Sequence, residues 1–315
     1  MNLNRRKMFA LGAAAFATGT GVASAEPAVA ASARSLPGDF RDGYATVNGV
    51  RLHYVAGGRG EPLFLLPGWP QTWWEFRKVL PALAKRYRVI AVDLRGMGGS
   101  AKPATGYDKK TMARDIRELA RHLGYPRIAV AGHDIGSMVA HSFAVNHPEA
   151  TSKVVLMDVP HPDESLYTIP LLPKPGEFSP WWFSLNQVRD LPEQLLAGRF
   201  RPMVDWLFDH IMVHPEANTD RDRAIFAQAY NTPDAIRAGN AWYQTFSQDI
   251  EDQKAYGKIT APLLGLSTEA TDGFLQYLWP SQGTDVRVEK VADSGHFLVE
   301  EQPEAVVRLM TGFLG

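Results

Sequence analysis

Short apolar runs alternate with helix-patterned stretches over the first half of this chain, stop between residues 160 and 255, and then resume. The runs at 50–55, 63–66, 89–92, 128–131 and 154–157 are bounded by Gly, Pro or charged residues. Between them, 107–122 carries Ile116 and Leu119 at helical spacing, with Leu123 just beyond, and a second helical stretch runs to about Asn146. Strands this short and apolar are buried on both faces, and helices between them make parallel crossovers. The expected architecture is therefore α/β: a mostly parallel central sheet with helices on both faces. Residues 160–255 lack strand-like runs but carry helical stretches at 191–196, 203–212 and 221–229, which read as a helical cap insertion. Apolar runs return at 262–266 and 286–291, and a helix over 304–313 closes the chain. The expected division is a first core part at 43–159, a cap at 160–255 and a second core part at 256–315.

The N-terminus belongs to a different class of sequence. Arg5, Arg6 and Lys7 precede a small-residue apolar stretch, and Ala23-Ser24-Ala25 has the pattern cut by a signal peptidase. The stretch is shorter than the roughly 18 to 20 residues a bilayer span needs, so no stable membrane insertion is expected. The paired arginines resemble a twin-arginine export signal, so residues 1–25 are expected to direct export to the periplasm or medium. Residues 26–42, rich in Ala, Ser and Pro, read as a flexible lead. Removing residues 1–25 takes the formal charge from −1 to −4, which gives nucleic acid no electrostatic hold. The absence of cysteine excludes disulfides, thiolate nucleophiles and zinc-thiolate sites. No metal or cofactor is expected, and the oligomeric state is open, a homodimer being one option.

The central motif is Gly132-His133-Asp134-Ile135-Gly136, between a strand and a helix. A sharp strand-turn-helix strains its middle residue and needs small flanking residues, which is the logic of a nucleophile elbow. Here the elbow carries Asp. Three further segments sit where such a fold uses them: Leu66-Pro67-Gly68-Trp69-Pro70 after an early strand, Asp93-Leu94-Arg95-Gly96-Met97-Gly98-Gly99-Ser100 after the next, and Asp293-Ser294-Gly295-His296-Phe297 before the last helix. Together with Trp69-Pro70-Gln71-Thr72-Trp73-Trp74-Glu75-Phe76, these segments resemble α/β-hydrolase-fold enzymes with an aspartate nucleophile, the epoxide hydrolases and dehalogenases. The likeness is greatest to secreted Cif-type bacterial epoxide hydrolases, and it runs from about Gly43 to Gly315.

Chemistry explains the aspartate. A carboxylate of pKa about 3.9 is ionised at neutral pH without an activating base. Attacking an sp³ carbon it makes an ester, which water can hydrolyse, whereas a serine would make an inert ether. Asp134 is thus the expected nucleophile and His296 the base for the hydrolytic water. Backbone N–H groups of Trp69 and Ile135 are the expected oxyanion donors. For the acid that orients His296, Asp158 at a strand end is preferred, as in the Cif type; Glu269 and Asp272, after the strand at 262–266, are the alternatives. His133 reads as packing beneath the elbow.

The cap holds four of the eight tryptophans, Trp181, Trp182, Trp206 and Trp242, and three more cluster at Trp69, Trp73 and Trp74. Trp182, Trp181 and Trp73 are the expected pocket aromatics, while Trp206 and Trp242 weigh equally as core. The resemblance makes Tyr243 the ring-opening tyrosine and places Trp182 where those enzymes carry Tyr or His. Pro67 departs from the usual His of the H-G-x-P motif. Haloalkane dehalogenases place Trp directly after the nucleophile and haloacetate dehalogenases use arginines near the elbow, yet this chain has Ile135 and Met138. The expected activity is hydrolysis of a small apolar epoxide to a diol. The alternatives are a haloalkane-type dehalogenase using the same Asp134 ester, or a non-catalytic hydrolase-fold protein that binds an apolar ligand.

Overall fold

The computed structural model describes residues 31–170, 172–175 and 179–315. The expected export signal, residues 1–25, lies outside the described residues. Eight strands form one sheet: β1 (Arg41–Val47), β2 (Val50–Gly57), β3 (Glu61–Leu66), β4 (Tyr87–Asp93), β5 (Ile128–His133), β6 (Thr151–Met157), β7 (Leu263–Ser267) and β8 (Val286–Lys290), in the order β1-β2-β4-β3-β5-β6-β7-β8. β1 and β2 pair antiparallel, β2 meets β4 antiparallel, and every later pairing is parallel. The central strands β3, β5, β6 and β7 are buried almost throughout, which is why they read as unbroken apolar runs.

Helices cover both faces. Lys109–His122 starts at Asp108, whose side chain accepts from the Thr111 N–H at 2.8 Å, and it buries Met112, Ile116 and Leu119 on one face. The helix after β5, Ile135–Asn146, is buried from Ile135 to Ala144. Among the described residues, six α-helices from Trp181–Gln187 to Phe246–Ala255 and two short 3₁₀ helices lie in the insertion between β6 and β7. Buried polar contacts tie them to the core. Lys109 and Asp249, both fully buried, pair at 2.8 Å, and the Trp74 indole donates to Asp222 at 2.7 Å.

Two segments differ from the sequence-based expectation. The lead is not loose over its whole expected length: Ala33, Leu36 and Phe40 are buried, and β1 begins at Arg41. A Cβ on Gly57 would lie 2.4 Å from the Phe40 ring, so that glycine makes the seat for the lead. β1 escapes a periodicity reading because its outer half is exposed, but Asn48-Gly49, both at positive φ, form the tight hairpin turn that joins it to β2. The second is a helix at Asp272–Gln282, between β7 and β8, in a stretch to which the sequence reading assigns no element. Its solvent face carries Phe274 and Tyr277, which blur the amphipathic pattern.

Candidate active site

Asp134 sits between β5 and its helix at φ 49° and ψ −119°, a strained conformation for a residue with a Cβ. The turn is this tight because both flanking glycines lack side chains. A Cβ on Gly132 would come 2.0 Å from the Gly136 carbonyl oxygen, and one on Gly136 would come 2.0 Å from that of Leu66. The strain lifts the carboxyl above the strand ends, where the Trp69 N–H donates to Oδ1 at 2.9 Å. Ile135 opens the following helix, so its N–H is among the first-turn donors without an intrahelical acceptor.

The His296 imidazole stands between two carboxylates. Its Nδ1 lies 2.6 Å from Asp158 Oδ2, and its Nε2 lies 3.6 Å from Asp134 Oδ2. Asp158 follows directly on β6, buried at φ 64°. Its other oxygen accepts two hydroxyls, from Thr268 at 2.9 Å and Thr271 at 2.6 Å. Burial alone would raise the Asp158 pKa, but the bond and charge of His296, with the Thr271 hydroxyl, hold it below the ordinary carboxylate value. The arrangement therefore presents an ionised carboxylate to Nδ1, which keeps the proton there and leaves Nε2 facing Asp134.

A cavity of about 670 Å³ opens over these groups. Asp134, Asp158 and His296 line its floor; Trp69, Trp182, Phe183, Leu207, Met212 and Tyr243 line its walls. Tyr243 is buried, and its ring meets Trp69 edge-on at 5.5 Å. Burial, then the charge of Asp134, pushes its hydroxyl well above the ordinary tyrosine pKa, against a smaller opposing effect from a hydrogen bond with Trp182. Because an indole N–H can only donate, the Tyr243 oxygen is the acceptor in that bond.

Residues 61–303 match the family described as the alpha/beta hydrolase fold. The soluble epoxide hydrolase of Corynebacterium sp. (strain C12) is 36% identical over 282 residues, 84% of this chain and 93% of that protein. The chain belongs to the epoxide hydrolase family of the α/β-hydrolase fold. It is an enzyme of the hydrolase class. A fluoroacetate dehalogenase of Burkholderia is 27% identical over 287 residues, 85% of this chain and 91% of that protein. The crystal structure of the Cif epoxide hydrolase from Acinetobacter nosocomialis superposes with a TM-score of 0.82 over 88% of this chain and 89% of that one; at 24% identity the likeness is one of fold.

Within this epoxide hydrolase fold, Asp134, His296, Asp158, Tyr243, Trp69 and Trp182 share one cavity. Two expected pocket residues do not. Trp73 lies on the far side of the loop after β3: its N–H donates to Asp93 at 2.9 Å and its ring packs against Trp74 and His53. Thr72 caps a short 3₁₀ turn there and rotates Trp73 away from Asp134. Trp181 is on the outer face of the cap, 36% exposed, against Trp206. Neighbouring helical residues point about 100° apart, so Trp181 and Trp182 cannot both face inward. Trp206 stacks on His210, and Trp242 is core, its indole donating to the Arg95 carbonyl at 3.0 Å.

Neither alternative acid touches His296. Glu269 is exposed at the cavity rim and pairs with Lys290 at 3.1 Å; Asp272 begins the helix after β7 and accepts from the Ser267 hydroxyl at 2.6 Å. The loop after β7 instead contributes Thr268 and Thr271 to Asp158. Sequence reading passed over these threonines because it searched that loop for carboxylates. Their signal was the hydroxyl spacing within Ser-Thr-Glu-Ala-Thr-Asp.

Proposed function

We propose that this enzyme hydrolyses neutral, apolar epoxides to diols through a covalent ester on Asp134. The observation that carries the reading is His296 placed between Asp134 and Asp158 on the floor of a cavity whose wall presents Tyr243 and Trp182. Asp134 Oδ2 attacks a ring carbon, the carbon–oxygen bond of the epoxide breaks, and Tyr243 gives its proton to the departing oxygen. Trp182 assists by holding the phenol oxygen, which must carry negative charge once the proton has gone. Oδ1, already hydrogen-bonded to Trp69, becomes the ester carbonyl oxygen.

His296 Nε2 then takes a proton from water, whose oxygen attacks the ester carbon. The Trp69 and Ile135 N–H groups hold the resulting oxyanion. Collapse breaks the acyl–oxygen bond, the diol oxygen takes the proton from His296, and the second water proton restores Tyr243. One oxygen of the regenerated Asp134 therefore comes from water.

The cavity chemistry favours a neutral substrate over a haloacid. Among the described residues that line it there is no Lys or Arg, and Ile135 and Met138 occupy the elbow positions where a carboxylate would need a cation. Burying an unpaired carboxylate there would cost several kcal/mol. Haloalkanes are less favoured because Ile135 provides no donor side chain beside the nucleophile.

Single turnover in ¹⁸O-water, followed by mass spectrometry of the Asp134 peptide, tests the mechanism. One ¹⁸O should enter Asp134, and His296→Gln should trap the ester, because forming it does not need the base. Diol formation with no label in Asp134 would refute the covalent route. Halide release with no diol from any epoxide would move the assignment to the dehalogenases.

A further inference from the structure

His133 is fully buried directly before the nucleophile, and the reaction outlined above gives it no task. It nevertheless lies between the turn that carries Glu75 and the loop that carries His296. Its Nε2 lies 2.8 Å from the backbone carbonyl oxygen of His296, and its Nδ1 lies 3.1 Å from Glu75 Oε1. The other Glu75 oxygen accepts the Gly68 N–H at 2.9 Å. Gly68 immediately precedes Trp69, whose own N–H holds Asp134. A continuous polar chain thus runs from the oxyanion loop through Glu75 and His133 to the loop of the base, beneath the nucleophile.

A neutral imidazole has one N–H and could donate to only one of its two partners; an imidazolium serves both. The Nδ1 contact with Glu75 is close but poorly aligned for a hydrogen bond, as expected where charge rather than direction holds two groups together. The titratable groups facing His133 are Glu75 from the turn after β3, Asp134 beside it, Asp158 from the end of β6 and His296 from the terminal loop. Three of the four are carboxylates.

Resting on the covalent reading above, we propose that His133 is a positioning residue: as an imidazolium paired with Glu75 it holds the Trp69 N–H and the His296 ring in register with Asp134. Burial would lower the His133 pKa, but Glu75, with Asp134 and Asp158 behind it, raises it to about 9. The cation is then present across neutral pH and lost on the alkaline side. Tyr243, pushed well above 10, titrates later and does not account for a limb near 9.

The test is the pH dependence of ester formation and ester hydrolysis for the wild type, His133→Gln and Glu75→Gln. Glutamine at 133 keeps a donor for the His296 carbonyl but carries no charge. In the wild type, ester hydrolysis should fall as pH rises through about 9. His133→Gln should hydrolyse the ester on the order of a hundredfold more slowly at neutral pH, the size of effect that a misplacement of about 1 Å produces, with kcat/KM, which reports ester formation, much less affected and the alkaline limb gone. Glu75→Gln should shift that limb to lower pH, since burial then acts on His133 with less opposition. A wild-type profile with no limb near 9, or a His133→Gln profile that keeps it, would overturn the role of His133 while leaving the Asp134 ester standing. The wild-type measurement decides even if a variant fails to fold. Absence of ¹⁸O at Asp134 in the wild type would overturn the covalent reading and this inference with it.

Discussion

Replacing Asp158 by Asn should stop the second half-reaction and spare the first. The substitution is isosteric, so the buried pocket at the end of β6 stays filled. One end of the amide must face His296 Nδ1, now 2.6 Å from Oδ2, and the other must face the Thr268 and Thr271 hydroxyls, which both donate to Oδ1. Two donors select the amide oxygen for their side, and that turns the NH₂ toward Nδ1. A ring nitrogen facing a donor must accept, so the imidazole proton moves to Nε2, the atom that has to receive one from water. The wrong tautomer of a catalytic histidine costs on the order of 10⁴-fold, or about 5 kcal/mol of barrier. Rapid-quench single turnover with an epoxide should show ester forming within tenfold of the wild-type rate and then persisting. Thr271→Val, which removes one hydroxyl from a charged oxygen at 2.6 Å, should slow ester hydrolysis by roughly 10- to 100-fold, from about 1.5–3 kcal/mol for such a bond. Glu269→Gln touches only an exposed ion pair with Lys290 and should leave both steps unchanged. Ester hydrolysis in Asp158→Asn within tenfold of the wild type, alongside its collapse in Glu269→Gln, would refute the assignment and place the acid after β7.

Two further outcomes follow from the titrating groups. Tyr243→Phe should slow ester formation from an epoxide by about 10²–10⁴-fold, the usual worth of a general acid, while halide release from a haloalkane, which needs no proton, should change little; parallel diol and halide assays separate the two. Burial holds His141 down to about 4, so it stays neutral in the fold while the unfolded chain takes up its proton below about 6.5. Stability should therefore fall as pH drops from about 6.5 toward 4, by about 3 kcal/mol from this group, and His141→Leu should flatten that slope in urea unfolding; an unchanged slope would assign the acid sensitivity elsewhere.

What the sequence by itself determined was local. The elbow was legible because its chemistry is steric at short range: two glycines around a strained Asp134, a strand before them and a helix after. The core strands were legible because burial on both faces leaves an apolar run, and the cap because that pattern stops. β1 and the packed lead were not, since half their residues face solvent and their partners, β2 and Gly57, are chosen by the folded sheet. The sequence reading preferred Asp158 as the partner of His296, but the contact itself exists only in the tertiary structure. Asp158, Glu269 and Asp272 are the same chemistry on paper, and they differ in which strand end they leave and what hydroxyls or cations await them. The tertiary structure also decided that Trp182 faces inward while Trp181 and Trp73 face away, because the rotation of a helix or turn against its neighbours sets where a side chain points. The His133–Glu75 pair is the extreme case. Two ordinary residues, 58 positions apart, come within 3.1 Å of each other only because β3 and β5 are neighbours in the sheet and both side chains are buried beneath the nucleophile.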